Sequence, residues 1–262
     1  MYTKQDLLLH LEKMGLMPND TVLVHSSMKA IGEVDGGADT VLDVLMEYFS
    51  EGLLVLPTHT WATIDEIYNV FDPAMEPACV GILPNLFRNR PGVVRSLHPT
   101  HSVAAYGKDS KAFIEGEVDR TTPCGPGSCY DRLRQRNGKI LLIGVGHARN
   151  TFIHCVEELL NVPERLTKVP TYFKIVMPDK QLKPVFVYRH DNPHTDHISD
   201  AYTKLEQAFY DRKAAKKVMF GDAACILCDA NEIYHVTKDI LSHQINCLME
   251  LDEIPKEWWN LT

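Results

Sequence analysis

The chain has 262 residues, with 27 Lys+Arg against 35 Asp+Glu for a formal net charge of −8, and 45% hydrophobic against 24% charged residues. That balance excludes a disordered chain, which needs low hydrophobicity together with high net charge. The acidic excess lacks the basic footprint of a nucleic-acid binder, so no nucleic-acid partner is expected. No apolar run approaches the ~20 residues of a membrane span, and no basic and apolar leader opens the chain. Seven irregularly spaced cysteines fit reduced thiols, and the expected location is the cytoplasm. Cys225-x-x-Cys228 lacks the second ligand pair of a zinc site and reads as two buried thiols. The charges are segregated. Between Lys29 and Arg88 there is no Lys or Arg, yet ten acids: Glu33, Asp35, Asp39, Asp43, Glu47, Glu51, Asp65, Glu66, Asp72 and Glu76.

Thr3 and Asp6 form a capping box before Leu7, Leu8, Leu11 and Met14 at helical spacing, with Gly15 as the stop. Thr21 to Val24 reads as a buried strand. Gly36-Gly37 then breaks the chain before a helix marked by Val41, Leu42, Leu45 and Phe49, and Leu53 to Leu56 is the next strand, ended by Pro57. Strands alternating with helices predict a sheet with parallel pairs covered by helices. Phe71 to Pro84 reads as a surface loop, Ser102 to Tyr106 as a strand and Cys129 to Arg136 as a helix. Ile140 to Val145 is the most apolar strand, followed by a helix from about Thr151, with Asn150 or Thr151 as its cap. Tyr172 to Met177 and Pro184 to Tyr188 read as a hairpin through Pro178-Asp179-Lys180. A helix near Ser199 to Asp211, one strand over Val218 to Leu227 and a helix from Asn231 to about Met249 complete the chain. The expectation is one unit over 1–262, with the residues from about 170 to 262 as a candidate second lobe.

Four segments could carry chemistry. Val24-His25-Ser26-Ser27-Met28 leaves a strand toward glycines and a helix start, a place where ligands collect in open α/β sheets and where backbone N–H groups cradle anions. A polar strand exit with turn-capping hydroxyls reads the same way. Arg88, Arg90 and Arg95 could pair bidentately with phosphate, or could be solvated surface arginines. His154 and Glu157 share a helix face as i and i+3, the spacing of a base and its orienting carboxylate, and Glu158 at i+4 is an equal partner by geometry alone. His190, Asp191, His194, Asp196 and His197 could hold a metal or could simply bond a loop.

Read together, the segments resemble the aminoglycoside 3-N-acetyltransferase family, including its less characterised Gram-positive relatives. The residues that carry the resemblance begin with Val24-His25-Ser26-Ser27-Met28, Gly36-Gly37, Leu56-Pro57-Thr58-His59-Thr60, Phe71-Asp72-Pro73 and Arg95-Ser96-Leu97-His98-Pro99-Thr100-His101-Ser102 to Gly107. Gly125-Pro126-Gly127-Ser128, Leu142 to Gly146 and Asn150-Thr151-x-x-His154-x-x-Glu157 follow in the same order. The match continues faintly to Gly221-Asp222-Ala223. The resemblance implies an α/β fold with a mixed sheet flanked by helices, of the antibiotic N-acetyltransferase type and not the common small acetyltransferase fold. It implies acetyl transfer from acetyl-coenzyme A to the 3-amine of the deoxystreptamine ring, with His154 as base, Glu157 supporting it, and direct attack without an acyl-enzyme. Thr60 or Ser102 could supply the oxyanion donor. His25, Ser26, Ser27, Met28, Val34, Gly36, Gly37, Arg95, Ser96, Ser102 and Val103 are the implied coenzyme residues. Asp65, Glu66, Tyr68, Asp72 and Glu157 are those for a cationic amine. The sequence has Glu76-Pro77-Ala78-Cys79 where many members carry Thr-Pro-Ser after the Asp-Pro. No metal is expected, no membrane partner, and a monomer or homodimer. The alternatives are the same chemistry on another amine, a metal-dependent hydrolase using His190, His194 and His197, or a silent coenzyme A-binding protein.

Overall fold

The computed structural model describes residues 1–191, 195 and 197–260. Strands β1 (Thr21–Ser26), β2 (Leu53–Pro57), β3 (Val70–Phe71), β4 (Val94–Arg95), β5 (Val103–Gly107) and β6 (Lys139–Ile143) come first. They are followed by β7 (Thr171–Val176), β8 (Leu182–Val187), β9 (Ala215–Phe220) and β10 (Ala223–Asp229). Among the described residues, seven of these strands form one sheet in the order β4-β5-β2-β1-β6-β10-β9. β1 runs parallel to both β2 and β6, and the other neighbours are antiparallel. The fold is therefore the expected mixed sheet flanked by helices.

The strand period of two sorts the apolar residues into two layers. Val22, Val24, Leu54, Leu56, Leu141 and Ile143 face α1 (Lys4–Lys13), α2 (Gly37–Tyr48) and α3 (Ile82–Phe87). Leu23, Leu53, Val55, Ile140 and Leu142 face the opposite way, toward a layer that includes α5 (Cys129–Gln135) and α6 (Phe152–Leu159). The short α4 (Ser110–Ile114) precedes them, and α7 (Ile198–Ala201), α8 (Glu206–Asp211), α9 (Ala230–His243) and α10 (Cys247–Glu250) complete that side. Cys225 and Cys228 lie three apart on β10, so their thiols enter opposite cores and cannot share an ion.

Two expectations change. The single strand over Val218 to Leu227 is a hairpin, because Gly221 turns the chain at φ +59° and β9 folds back on β10. A Cβ there would meet the Ile31 carbonyl oxygen at 2.3 Å, so glycine is required. The Phe71 to Pro84 loop contains the end of β3 and the start of α3. The strands from about 170 onward are shared between two sheets. β9 and β10 extend the main sheet, while β7 and β8 make a small second sheet with β3 from the first half of the chain. The Tyr172–Tyr188 hairpin lies where its turn residues put it.

Leu141 is fully buried in β6, between β1 and β10. Leu141→Ala is expected to cost about 2–5 kcal/mol through lost transfer energy and a residual cavity. Urea denaturation would show this as a lower midpoint with an unchanged slope.

Candidate active site

The carboxyl ends of β1 and β2, the β4–β5 connection and the start of α6 converge on one cleft of about 360 Å³. His25, His59, His101, His154 and His190 line it, with Trp61, Thr100, Asn150, Thr151, Arg149, Arg165, Arg189 and Asp191 among the rest. This is where an open α/β sheet with parallel central strands exposes its polar strand ends.

α6 has a clear division of labour. Phe152, Ile153, Cys155 and Val156 pack into the core, and His154 is turned to the cleft. Glu157 is fully buried, and the buried Arg165 donates from Nε to its Oε1 at 2.5 Å. Tyr202, a buried residue in the turn after α7, donates its phenol hydrogen to Glu157 Oε2. The same phenol oxygen lies 2.7 Å from His154 Nδ1. A phenol has one hydrogen, so with it on Glu157 the proton of neutral His154 sits on Nδ1 and is donated to Tyr202. Nε2 is left with the lone pair. His154 Nδ1 and Glu157 Oε2 are 3.6 Å apart, beyond a direct hydrogen bond. The expected support of His154 by Glu157 therefore runs mainly through Tyr202, which no sequence motif marked.

Glu158, the other candidate partner, goes elsewhere. Its Oε1 accepts from His190 Nε2 at 2.7 Å and from the Cys124 backbone N–H at 2.9 Å. The rings of His154 and His190 lie 4.2 Å apart, tilted by 35°.

Burial dominates the electrostatics. It pushes His154 below its ordinary pKa, with His190 adding to the effect and Glu157 opposing it. It holds His25 and His98 down at about 4, and His59 and His101 well below the ordinary value. For Glu157, burial pushes upward, but the nearby His154 imidazole, the Arg165 charge and the Tyr202 bond outweigh it, leaving the carboxyl below its usual range. Burial likewise raises the Cys155 thiol well above its ordinary value, and no cysteine lines the cleft among the described residues.

The two expected oxyanion donors are committed to the scaffold. Thr60 donates its hydroxyl to the Pro99 carbonyl at 2.5 Å, and Ser102 donates to the Thr58 carbonyl at 2.8 Å. Thr151 is better placed, since it lines the cleft and makes no cap bond to α6.

The expected coenzyme residues divide. His25 lines the cleft with a buried Nε2 that has no partner among the described residues. Ser26 ends β1, Ser27 donates its N–H to Ile143, Met28 starts a 3-10 turn, and Val34 is buried beside the left-handed Gly36 and Gly37 that open α2. Arg95, in contrast, spends its guanidinium on Thr58, Ser102 and the carbonyls of Pro73 and Glu76. Ser96 and Val103 bond each other across β4 and β5. Arg90 pairs with Asp39 and Asp43, and Arg88 donates to the Ala74 carbonyl. In this structure all three arginines bond groups of the protein, and Arg88 and Arg95 also border a second cavity beside Lys111.

Of the five expected amine-binding residues, Glu157 is buried on α6 with Tyr202 and Arg165, and the other four lie on the segment between Trp61 and Val80, whose ends reach the cleft. Asp65 accepts from the backbone N–H groups of Ile67 and Tyr68, which hold its carboxyl below the usual range. Asp72 accepts from Ala74, and Glu66 and Tyr68 are exposed. None of the four lines the cleft. Among the described residues, Asp191 is the carboxylate that does, and it pairs with Arg189 at 3.2 Å.

His194, part of the expected His190/His194/His197 metal set, lies outside the described residues. His190 instead groups with Cys124 and Glu158, whose ligand atoms lie within 4.8 Å of one another. The fit to a cation is poor. A metal needs the thiolate, and burial pushes the Cys124 thiol well above its ordinary value, with the Glu158 charge adding to it.

The family model described as Aminoglycoside 3-N-acetyltransferase matches residues 23–242. Aminoglycoside N(3)-acetyltransferase IV of Salmonella sp is 28% identical over 235 residues, covering 88% of this chain and 84% of that protein. The SPbeta prophage-derived aminoglycoside N(3')-acetyltransferase-like protein YokD of Bacillus subtilis (strain 168) is 30% identical over 176 residues, covering 59% of this chain and 64% of that one. The crystal structure of a mutant of aminoglycoside acetyltransferase AAC(3)-IVa in complex with apramycin superposes with a TM-score of 0.77 at 26% identity, covering 93% of this chain and 93% of that chain. The chain belongs to the aminoglycoside 3-N-acetyltransferase family.

Proposed function

We propose that the protein transfers the acetyl group of acetyl-coenzyme A to the 3-amine of the deoxystreptamine ring of aminoglycosides, with His154 as the general base. The observation that carries this reading is the chain of contacts behind His154. Tyr202 fixes the proton on Nδ1, Glu157 accepts from Tyr202, and Arg165 keeps Glu157 ionised. Neutral His154 takes the amine proton on Nε2 as the amine attacks the thioester carbonyl, and the Glu157 charge stabilises the imidazolium that forms. Attack is direct in this reading, because the one thiol adjacent in sequence, Cys155, is buried in the core on the other side of α6. The coenzyme runs past His25 to Met28, Val34 and Gly36-Gly37, where backbone N–H groups at strand and helix ends suit an anion. Arg95, Ser96, Ser102 and Val103 hold the wall of that path. The cationic acceptor enters between Trp61 and Asp191, under the segment that carries Asp65, Glu66, Tyr68 and Asp72.

Thiol release from acetyl-coenzyme A with a panel of aminoglycosides tests the assignment, and turnover of at least one is the expected result. A well-folded sample that turns over none would overturn the assignment. His154→Ala is expected to lower kcat by roughly 100-fold or more, the usual contribution of a positioned base.

Tyr202→Phe removes the bridging hydroxyl and keeps the ring. Losing a hydrogen bond to a charged group, worth about 1.5–3 kcal/mol, is expected to lower kcat about 10–100-fold with KM little changed. In the wild type, the acidic limb of the rate profile lies below pH 6.5, because the folded site lowers the His154 pKa from 6.5 and the base must be neutral to act. Steady-state kinetics from pH 5 to pH 9 would check both.

A further inference from the structure

We infer that His190 is a second proton-handling side chain of this centre, the acid that protonates the departing thiolate as His154 deprotonates the amine. The inference rests on the acetyl-transfer reading above.

Consecutive residues on a helix point about 100° apart. Glu157 and Glu158 therefore serve two different imidazoles from one turn of α6. Glu158 accepts from His190 Nε2 at 2.7 Å and is itself held by the Cys124 N–H at 2.9 Å, so the His190 ring is fixed by a carboxylate as His154 is by Tyr202. With Nε2 on Glu158, a proton gained by the ring sits on Nδ1. That atom is buried and has no hydrogen-bond partner among the described residues, while His190 lines the same cleft as His154. At a centroid separation of 4.2 Å, one imidazole disfavours the charge of the other. Burial and His190 both push His154 toward its neutral form. Such a pair separates into one base and one acid.

The step balances. A C–N bond forms between the amine and the carbonyl carbon, and the amine proton passes to His154 Nε2. The C–S bond breaks with its electron pair on sulfur, and the Nδ1 proton of His190 passes to that sulfur. The products are the amide and the free thiol, and proton exchange with solvent resets both rings. The charged and titratable groups facing His190 are Glu158 and His154 of α6, His98 and His101 of the β4–β5 connection, Cys124 before α5, and its chain neighbours Arg189 and Asp191.

The test is the single-turnover rate of acetyl transfer from acetyl-coenzyme A to the best aminoglycoside of the panel, measured across pH. The wild type should give a bell, with the rate falling at high pH as the acid loses its proton. His190→Gln keeps a group that can bond Glu158 but carries no transferable proton. It is expected to lose about 100-fold at neutral pH, to keep the acidic limb and to lose the basic limb, with the KM for acetyl-coenzyme A unchanged. Glu158→Gln is expected to move the basic limb to lower pH, because the cation loses its carboxylate. An active His190→Gln with an unaltered bell would overturn the inference and leave the acetyl-transfer reading standing. A wild type without turnover would overturn both. If His190→Gln fails to fold, judged by its melting curve, Glu158→Gln decides alone, and an unmoved basic limb refutes the role of His190.

Discussion

Glu157 is a carboxylate removed from water, and a buried charge persists only when it is paired and hydrogen-bonded. The geometry of the site follows from how that requirement is met. Arg165 supplies the countercharge from the loop after α6, and Tyr202 supplies a hydrogen from the turn after α7. Both must arrive at Glu157 for α6 to pack with Phe152, Ile153 and Val156 in the core. Tyr202 sits in that same core with Leu205 and Phe209. The contacts that neutralise the carboxylate are thus the ones that set the proton on His154. Packing and proton placement are one structural problem with one solution.

The cleft divides two adjacent acids between two imidazoles. A helix makes this economical, since neighbouring positions diverge while staying within one turn. The remaining histidines, His25, His59, His98 and His101, surround the pair as buried neutral rings. They act as polar but uncharged walls. Neutral neighbours leave the protonation of the two rings to their own carboxylates, whereas fixed charges would shift both rings at once.

The acidic block and the arginines that follow it meet in space. Arg90 reaches Asp39 and Asp43 on α2, Lys4 reaches Glu47, and Arg95 clamps the β2 and β4–β5 connections through hydroxyls and carbonyls. Asp65 and Asp72 cap turns. Charges segregated along a chain say little about a cleft, because tertiary contacts bring opposite signs together wherever layers pack. Among the described residues, Arg149, Arg165, Arg189 and Asp191 are the Arg, Lys, Asp or Glu side chains that line the cleft.

Local patterns are enough to read most of the elements. The Thr3–Asp6 capping box starts α1, the apolar runs of β1, β2 and β6 lie where strands buried on both faces need them, and the Tyr172–Tyr188 hairpin follows its turn residues. His154 is legible because its carboxylate lies within one helical turn. The expected single strand over Val218 to Leu227 fails because Gly221 looks like one small residue in an apolar run, whereas its close approach to Ile31 forces a reversal. Tyr202 is not legible as a site residue, and His190 is legible only as a candidate metal ligand, since their partners Glu157 and Glu158 lie 45 and 32 positions away and no periodicity links them. By itself, the sequence determined what depends on neighbours a few residues apart: element types, the α6 pair and the family likeness. Only the tertiary structure decided which acid serves which imidazole, because burial and distance between remote segments set the charge on each group.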